Sequence, residues 1–254
     1  MLCMPVARKE PRAYFIYMDT YKIRSVFFGE TAIFHYPAER KTDKAVLILK
    51  GLYGKHIPEN AGENPSWDNQ LIGLLRGTYE IFIFNTGRYD AADKRESLEG
   101  KMFQNECDDV QEAFAFCREN ILKEKFTWEA VAISFGGTTL LGCSDVLHVM
   151  QGVVMIGSGC GKSLTTTKPL VSTLLDTKEL LKSISDFTGS LYFLHGGKDT
   201  IVSVESQKKI YESATRCFSR GWIEFPGLDH ELNDLENGIS HTAILAQGFL
   251  EVAS

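Results

Sequence analysis

The sequence predicts α/β architecture: a doubly wound, mostly parallel sheet with an antiparallel hairpin at its N-terminal edge. Three observations carry this expectation. Short runs of four or five residues, most of them apolar at every position, recur along the 254-residue chain. Stretches of helical periodicity lie between them. The first forty residues differ, being rich in aromatic and β-branched side chains around Gly29-Glu30. A strand covered by helices on both faces has no solvent side, so it reads as an unbroken apolar run rather than an alternating one.

The hairpin is expected from 14–18 and 23–34, where β-formers flank a glycine. Six further strands follow at 45–49 (AVLIL), 81–84 (IFIF), 130–133 (AVAI), 153–156 (VVMI), 191–194 (LYFL) and 222–225 (WIEF). Four helical faces separate or follow them: Trp67, Leu71 and Leu74; Val110, Phe114, Cys117 and Ile121; Leu174, Leu181 and Ile184; and Ile244, Leu245 and Phe249. Strands alternating with helices imply parallel neighbours joined by crossovers. No repeat or linker divides the chain, so 1–254 is expected to be one domain.

Composition narrows the function. Hydrophobic residues make up 44% and charged residues 24%, values of an ordinary globular chain. Lys+Arg 27 against Asp+Glu 33 leaves a net charge of −6, which speaks against a nucleic-acid binder. No apolar run approaches the ~18 residues of a membrane span, and MLCMPVARKEPR does not read as a secretory leader. Cys3, Cys107, Cys117, Cys143, Cys160 and Cys217 show neither CxxC nor a metal-ligand spacing. They are expected to be reduced, mostly buried thiols of a cytoplasmic protein without a metal site.

The segment richest in chemical meaning is 128–142, WEAVAISFGGTTLLG. An apolar strand runs directly into Ser134 and then into an apolar helix. A turn this tight forces the serine into an unfavourable backbone conformation and lifts its Oγ clear of the sheet. Small residues are needed two before and two after it, and Ala132 and Gly136 stand there. The alternative readings are a glycine-rich phosphate loop or a plain connection with a capping serine. A nucleophilic serine needs a base, and the base needs an acid to orient it. Asp199 lies in the turn after the 191–194 strand, within HGGKDTIV. His230 follows the next strand, within PGLDH. All three positions fall at carboxyl ends of strands, on one edge of the sheet.

With these residues in place the sequence resembles the α/β-hydrolase family of serine hydrolases. The resemblance rests on AISFGG at the serine, HGGKDTIV, GLDH, LKGLYG after the first parallel strand, and DDVQEAFAFCREN before the elbow. It covers about residues 30–254. It implies the α/β-hydrolase fold, with Ser134 as nucleophile, His230 as general base and then acid, and Asp199 as its orienting partner. It further implies backbone donors at Phe135 and Leu52 for an oxyanion, and no cofactor. The implied activity is cleavage of a small-molecule ester in the manner of a carboxylesterase. Thioesterase, lipase, amidase and acyltransferase activities share this machinery, and a catalytically silent binding scaffold shares the fold.

Two departures from the family pattern carry expectations. Ala132 replaces the usual glycine, a change its small size tolerates. Lys50 stands where the family often has histidine, and an effect on substrate preference is expected from it. The short interval between the strands near 156 and 191 leaves room only for a small helical flap at 164–188. Substrate-lining roles are expected for Tyr53, His56 and Leu174.

Competing assignments are weaker. His195 precedes the acid turn and reads as a hydrogen-bonded loop or core histidine. His35, His148 and His241 lie in strand or helix contexts. Asp229 adjoins His230 in sequence, which is poor geometry for orienting it. Cys143 and Cys160 stand in no elbow. The segment 156–163, IGSGCGKS, nearly spells a phosphate-binding loop, but Ile156 stands where the pattern requires glycine.

Overall fold

The computed structural model of the protein describes residues 17–25, 29–52, 54, 56, 58, 65–85, 100–123, 125–161 and 169–253. Among them, eight strands form one sheet in the order β1-β2-β4-β3-β5-β6-β7-β8. The strands are β1 (Asp19–Ser25), β2 (Gly29–Tyr36), β3 (Lys44–Leu49), β4 (Glu80–Asn85), β5 (Thr127–Ile133), β6 (Met150–Ile156), β7 (Ser190–Gly196) and β8 (Ser219–Phe225). β1 and β2 form the antiparallel hairpin, β2 pairs antiparallel with β4, and all later pairings are parallel. All six apolar runs are strands. The hairpin is present with its first strand at Asp19–Ser25 rather than 14–18; residues 14–16 lie outside the described residues, and Gly29 opens β2 instead of sitting between the strands.

The helices are α1 (Trp67–Leu75), α2 (Phe103–Phe116), α3 (Phe135–Gly142), α4 (Ser144–Leu147), α5 (Pro169–Ser172), α6 (Thr177–Ser185), α7 (Val204–Ser213) and α8 (Thr242–Ala253). Alternate residues of each parallel strand face opposite ways. Val46, Ile48, Val131, Ile133, Val154 and Ile156 meet Leu71, Ile72 and Leu75 of α1 and Ala243, Ala246 and Leu250 of α8. Ala45, Leu47, Leu49, Ala130, Ala132, Val153 and Met155 meet α2, α3, α6 and α7 on the other face. Both faces are therefore dry, which is why these strands carry no polar alternation.

Two helical faces turn slightly from expectation. In α1 the buried residue is Leu75, while Leu74 is exposed. In α8 Ala243, Ala246 and Leu250 face inward and Ile244 is exposed. In α8 small alanines fit against the closely packed α1–α8 pair and Ile244 is left outside, while in α1 the adjacent leucine takes the inward position. The expected face of α2 is correct through Cys117, where the helix widens into a π-helical turn at Cys117–Ile121.

The segment expected as a flap takes another form. Residues 164–168 lie outside the described residues. The remainder forms α5 and α6, whose Leu170, Val171, Leu180 and Ile184 are buried in the core, α5 beside α2 and α6 beside α3 and α7. Leu174 is buried with them at 5% exposure, so its apolar surface is taken up by the protein interior rather than offered to a substrate. The apolar spacing reflects core packing, which a flap and a layer helix share.

The chain reverses direction across the sheet after β4: β3 lies between β4 and β5, so the connections on either side of it diverge. A crevice opens at the carboxyl ends of the strands at such a switch point. There α3 approaches β3 so closely that a Cβ on Gly136 would lie 2.3 Å from the Leu49 carbonyl oxygen. Gly136→Ala is expected to destabilise the protein by about 2–3 kcal/mol, because backbone must move. Gly73→Ala on α1, where nothing lies within 4 Å of the added Cβ, should instead stabilise it by about 0.5–1 kcal/mol. Urea unfolding of the two variants measures the contrast.

Candidate active site

β5 ends at Ile133 and α3 begins at Phe135, leaving a single residue to turn the chain. That residue, Ser134, has φ 53° and ψ −120°. It is one of two non-glycine residues with positive φ among those described. Such a conformation costs on the order of 1–3 kcal/mol and persists only where the surroundings hold it. Three features hold it. The Ser134 N–H donates to the Ile156 carbonyl at 2.8 Å. The Ser134 carbonyl accepts from the N–H of Gly137 at 3.1 Å. Gly136 lets the first turn of α3 rest on the backbone at the end of β3. The loop after β3 runs beside the hydroxyl: a Cβ on Gly51 would lie 3.9 Å from Ser134 Oγ.

Asp199 is reached through the Gly196-Gly197 turn after β7. A Cβ on Gly196 would lie 1.9 Å from the Asp229 carbonyl oxygen, so glycine there is what lets the loop carrying His230 close over the end of β7. The Asp199 side chain is fully buried. Its Oδ1 accepts from the N–H groups of Ile201 at 2.8 Å and Val202 at 3.0 Å. Its Oδ2 meets His230 Nδ1 at 2.9 Å and accepts from Gln207 Nε2 at 2.9 Å. Burial pushes this carboxyl upward, but the hydrogen bond from His230 and those from the Val202 and Ile201 N–H groups outweigh it and hold it below the usual carboxylate range. An ionised Asp199 can only accept, so His230 Nδ1 carries the proton and Nε2 is left with its lone pair.

The loop of His230 is braced on both sides. Asp229 Oδ1 accepts from the N–H groups of Glu231 and Asn233. Leu232 takes φ 57° and buries its side chain completely. His241 N–H donates to the Leu232 carbonyl at 3.0 Å, and the Thr242 hydroxyl donates to the Glu231 carbonyl. The ring lies over Gly157: a Cβ there would be 3.0 Å from His230 Cε1 and Nδ1. Gly157 directly follows Ile156, whose carbonyl holds Ser134. The structure thus joins Asp199 to His230 and sets the ring against the strand end beside the serine. Among the described residues the Ser134 hydroxyl makes no hydrogen bond to this ring.

The same contacts account for the phosphate-loop lookalike. Gly157 makes room for His230, and Gly159 lies where a Cβ would be 2.9 Å from Val202 on the acid turn. Lys162 lies outside the described residues. Gly157 and Gly159 are spacers for the histidine and the acid loop.

Two expectations at the first loop change. Lys50 points inward, and its ammonium meets Asp68 Oδ2 at 2.8 Å, with the residue only 6% exposed. Its ammonium is directed into the protein interior. His56, expected to line the substrate site, is fully buried, with Nδ1 2.6 Å from Asp68 Oδ2 and Nε2 bonded to the Tyr36 hydroxyl. Tyr53 lies outside the described residues.

Gln207 escaped the sequence reading. It is fully buried on α7, donates to Asp199 and to the Val202 carbonyl, and receives His195 Nδ1 at 3.2 Å. A glutamine in SVESQKKIYES carries no signal of this, since only the docking of α7 brings it to the acid turn. His195 is the hydrogen-bonded core histidine expected, packed against Trp222. The thiols of Cys143 and Cys160 are both pushed up by burial, which disfavours the reactive thiolate. No group of three or more His, Cys, Asp and Glu among the described residues is arranged to hold a metal ion.

The architecture is the α/β-hydrolase fold: a mostly parallel eight-stranded sheet, helices on both faces, and a strained serine turn after β5. Solved structures match across most of the chain. An esterase domain from a Rhodothermus marinus protein has TM-score 0.61 and 14% identity, covering 91% of this chain and 97% of that one. Est1E from Butyrivibrio proteoclasticus has TM-score 0.63 and 12% identity over 92% and 96%. Pyrococcus horikoshii acylaminoacyl peptidase has TM-score 0.70 and 10% identity over 92% of this chain and 40% of that one, so this chain spans less than half of that protein. At these identities the likeness is one of fold. No protein-family model matches the sequence, and no curated protein matches it. No helix among the described residues is long and apolar enough to cross a membrane.

The lowered Asp199 carboxyl has a consequence for stability. A carboxyl depressed in the folded state stabilises it above the unfolded pKa of about 3.9, and that contribution disappears as pH falls through the lower folded value. Urea unfolding between pH 2 and 6 should therefore show a shallower loss of stability on the acid side for Asp199→Asn than for the wild type.

Proposed function

We propose that this protein is a serine hydrolase that cleaves small carboxylic esters through an acyl-enzyme. The observation that carries the reading is the buried Asp199 carboxyl on His230 Nδ1, with the ring over Gly157, next to the Ile156 carbonyl that holds the strained turn of Ser134. In this reading the His230 Nε2 lone pair takes the Ser134 proton as Oγ attacks the ester carbonyl. In this reading the hydroxyl–imidazole hydrogen bond forms when substrate is bound. The imidazolium formed lies against the Asp199 carboxylate and then gives its proton to the departing alcohol. Water activated by the same imidazole hydrolyses the acyl-serine and returns the enzyme to its starting state.

The tetrahedral oxyanion is assigned to the main-chain N–H groups of Phe135, at the start of α3, and Leu52, in the loop beside the hydroxyl. A donor of this kind lowers the barrier by about 3 kcal/mol. The positive end of a helix dipole at α3 acts in the same direction. No cofactor is needed for these steps. The unpaired thiols at Cys107, Cys117, Cys143, Cys160 and Cys217 accord with a reducing cytoplasm as the working compartment. Thioester, lipid or amide cleavage and acyl transfer would run through the same groups, and a substrate panel separates them.

A fluorophosphonate probe should label the wild type and leave Ser134→Ala unlabelled. An unlabelled wild type would make the chain a silent scaffold. His230→Ala should lower turnover of p-nitrophenyl acetate by about a thousandfold or more. A mild loss would assign the base to another group.

A further inference from the structure

Four polar side chains meet in the interior behind the loop that follows β3. Lys50 Nζ and His56 Nδ1 both reach Asp68 Oδ2, at 2.8 and 2.6 Å. The Tyr36 hydroxyl bonds His56 Nε2 from β2. Asp68 and His56 are fully buried. The Lys50 ammonium also lies 5.5 Å from the ring centre of Trp67 at the start of α1. Burial pushes the Asp68 carboxyl upward, but the His56 hydrogen bond and the Lys50 ammonium hold it well below the usual carboxylate range. Asp68 thus stays ionised and receives two donors on one oxygen.

Those donors stand at the two ends of one short segment. Lys50 is the last residue before Gly51, and His56 closes the loop. The His56 main chain is clasped from β4: its N–H donates to Asn85 Oδ1 at 2.9 Å, and Asn85 Nδ2 donates to its carbonyl at 3.1 Å. Between these anchors the Gly54 N–H donates to the Gly51 carbonyl at 2.9 Å, a tight turn that includes Leu52. A main-chain donor has no side chain of its own to lock its direction, so its aim depends on what holds the flanks. A buried ion pair is a weak source of stability, because an apolar pair of similar volume does as well or better. A carboxylate that ties both ends of the loop supplies direction instead.

We propose that Asp68 is a positioning residue for the oxyanion: through Lys50 and His56 it clamps both ends of the loop and aims the Leu52 N–H at the space beside Ser134 Oγ. This rests on the serine-hydrolase reading above. The test is built to fail separately from it.

Asp68→Asn would take the carboxylate from the buried Lys50 ammonium and destabilise the chain, so the informative variant is Lys50→Met/Asp68→Leu, which replaces the ion pair by apolar side chains and releases His56 Nδ1 as well. Asn85→Ser is the second variant; it frees the His56 main chain and touches neither charge. Two readouts are taken on the full chain: p-nitrophenyl acetate kinetics, and amide hydrogen exchange of the peptide spanning residues 50–56. In each folded variant kcat should fall at least about tenfold with KM within about twofold, as loss of a donor acting only in the transition state requires. Exchange across 50–56 should rise at least about tenfold, with the rest of the sheet as protected as in the wild type. Unchanged kcat in a variant whose loop exchanges faster overturns the proposal, and so does unchanged exchange across 50–56. A wild type that neither turns over ester nor takes the fluorophosphonate label defeats the serine-hydrolase reading, and the catalytic role of Asp68 falls with it; the exchange readout then still decides whether Asp68 clamps the loop.

Discussion

The site depends on the approach of the first turn of α3 to the end of β3. Gly136 rests on the Leu49 carbonyl at a distance that admits no Cβ. That contact leaves one residue to turn the chain from β5 into α3, and so it sets the strained backbone of Ser134. The strain is contained by groups that would otherwise be orphaned: the Ser134 N–H is taken by the Ile156 carbonyl, and its carbonyl starts the α3 hydrogen-bond ladder. The dry sheet on either side makes the arrangement stiff, because closely packed side chains leave the turn nowhere to relax.

Glycine recurs at the points where a loop must come close. Gly196 admits the Asp229 carbonyl, and Gly157 admits the imidazole of His230. A side chain at either position would push the histidine from the sheet edge. Buried polar groups follow the same logic of placement. Asp199 accepts from two main-chain N–H groups, Gln207 and His230, and Asp68 accepts from Lys50 and His56. Each carboxylate is ionised where burial alone would neutralise it, because its donors outweigh the lost hydration. Asp199 thereby joins the loops after β7 and β8, and Asp68 joins α1 to both ends of the loop after β3.

Most of the fold was legible because the strands are buried on both faces. Unbroken runs such as AVLIL and IFIF can be satisfied only between two layers of helices. The helical faces were less legible. Leu74 and Ile244 fit an apolar stripe yet point to solvent, because α1 and α8 pack through smaller or adjacent residues. The residues of α5 and α6 fit a flap and a core layer equally well, and only their docking beside α2, α3 and α7 decides between them.

The chain order of residues alone was enough to put Ser134, Asp199 and His230 at strand ends, since the strand runs and the turn chemistry after them are local signals. Partnership is not local. Gln207 reaches Asp199 through the docking of α7, and Lys50 turns inward to a carboxylate eighteen residues away on α1. His56 is drawn into the interior by Tyr36, Asp68 and Asn85, three residues from three different elements. Periodicity and turn signals record what a segment needs from its immediate neighbours. Which side chain satisfies a buried charge is settled only when the layers close, because the donors come from elements that only the fold brings together.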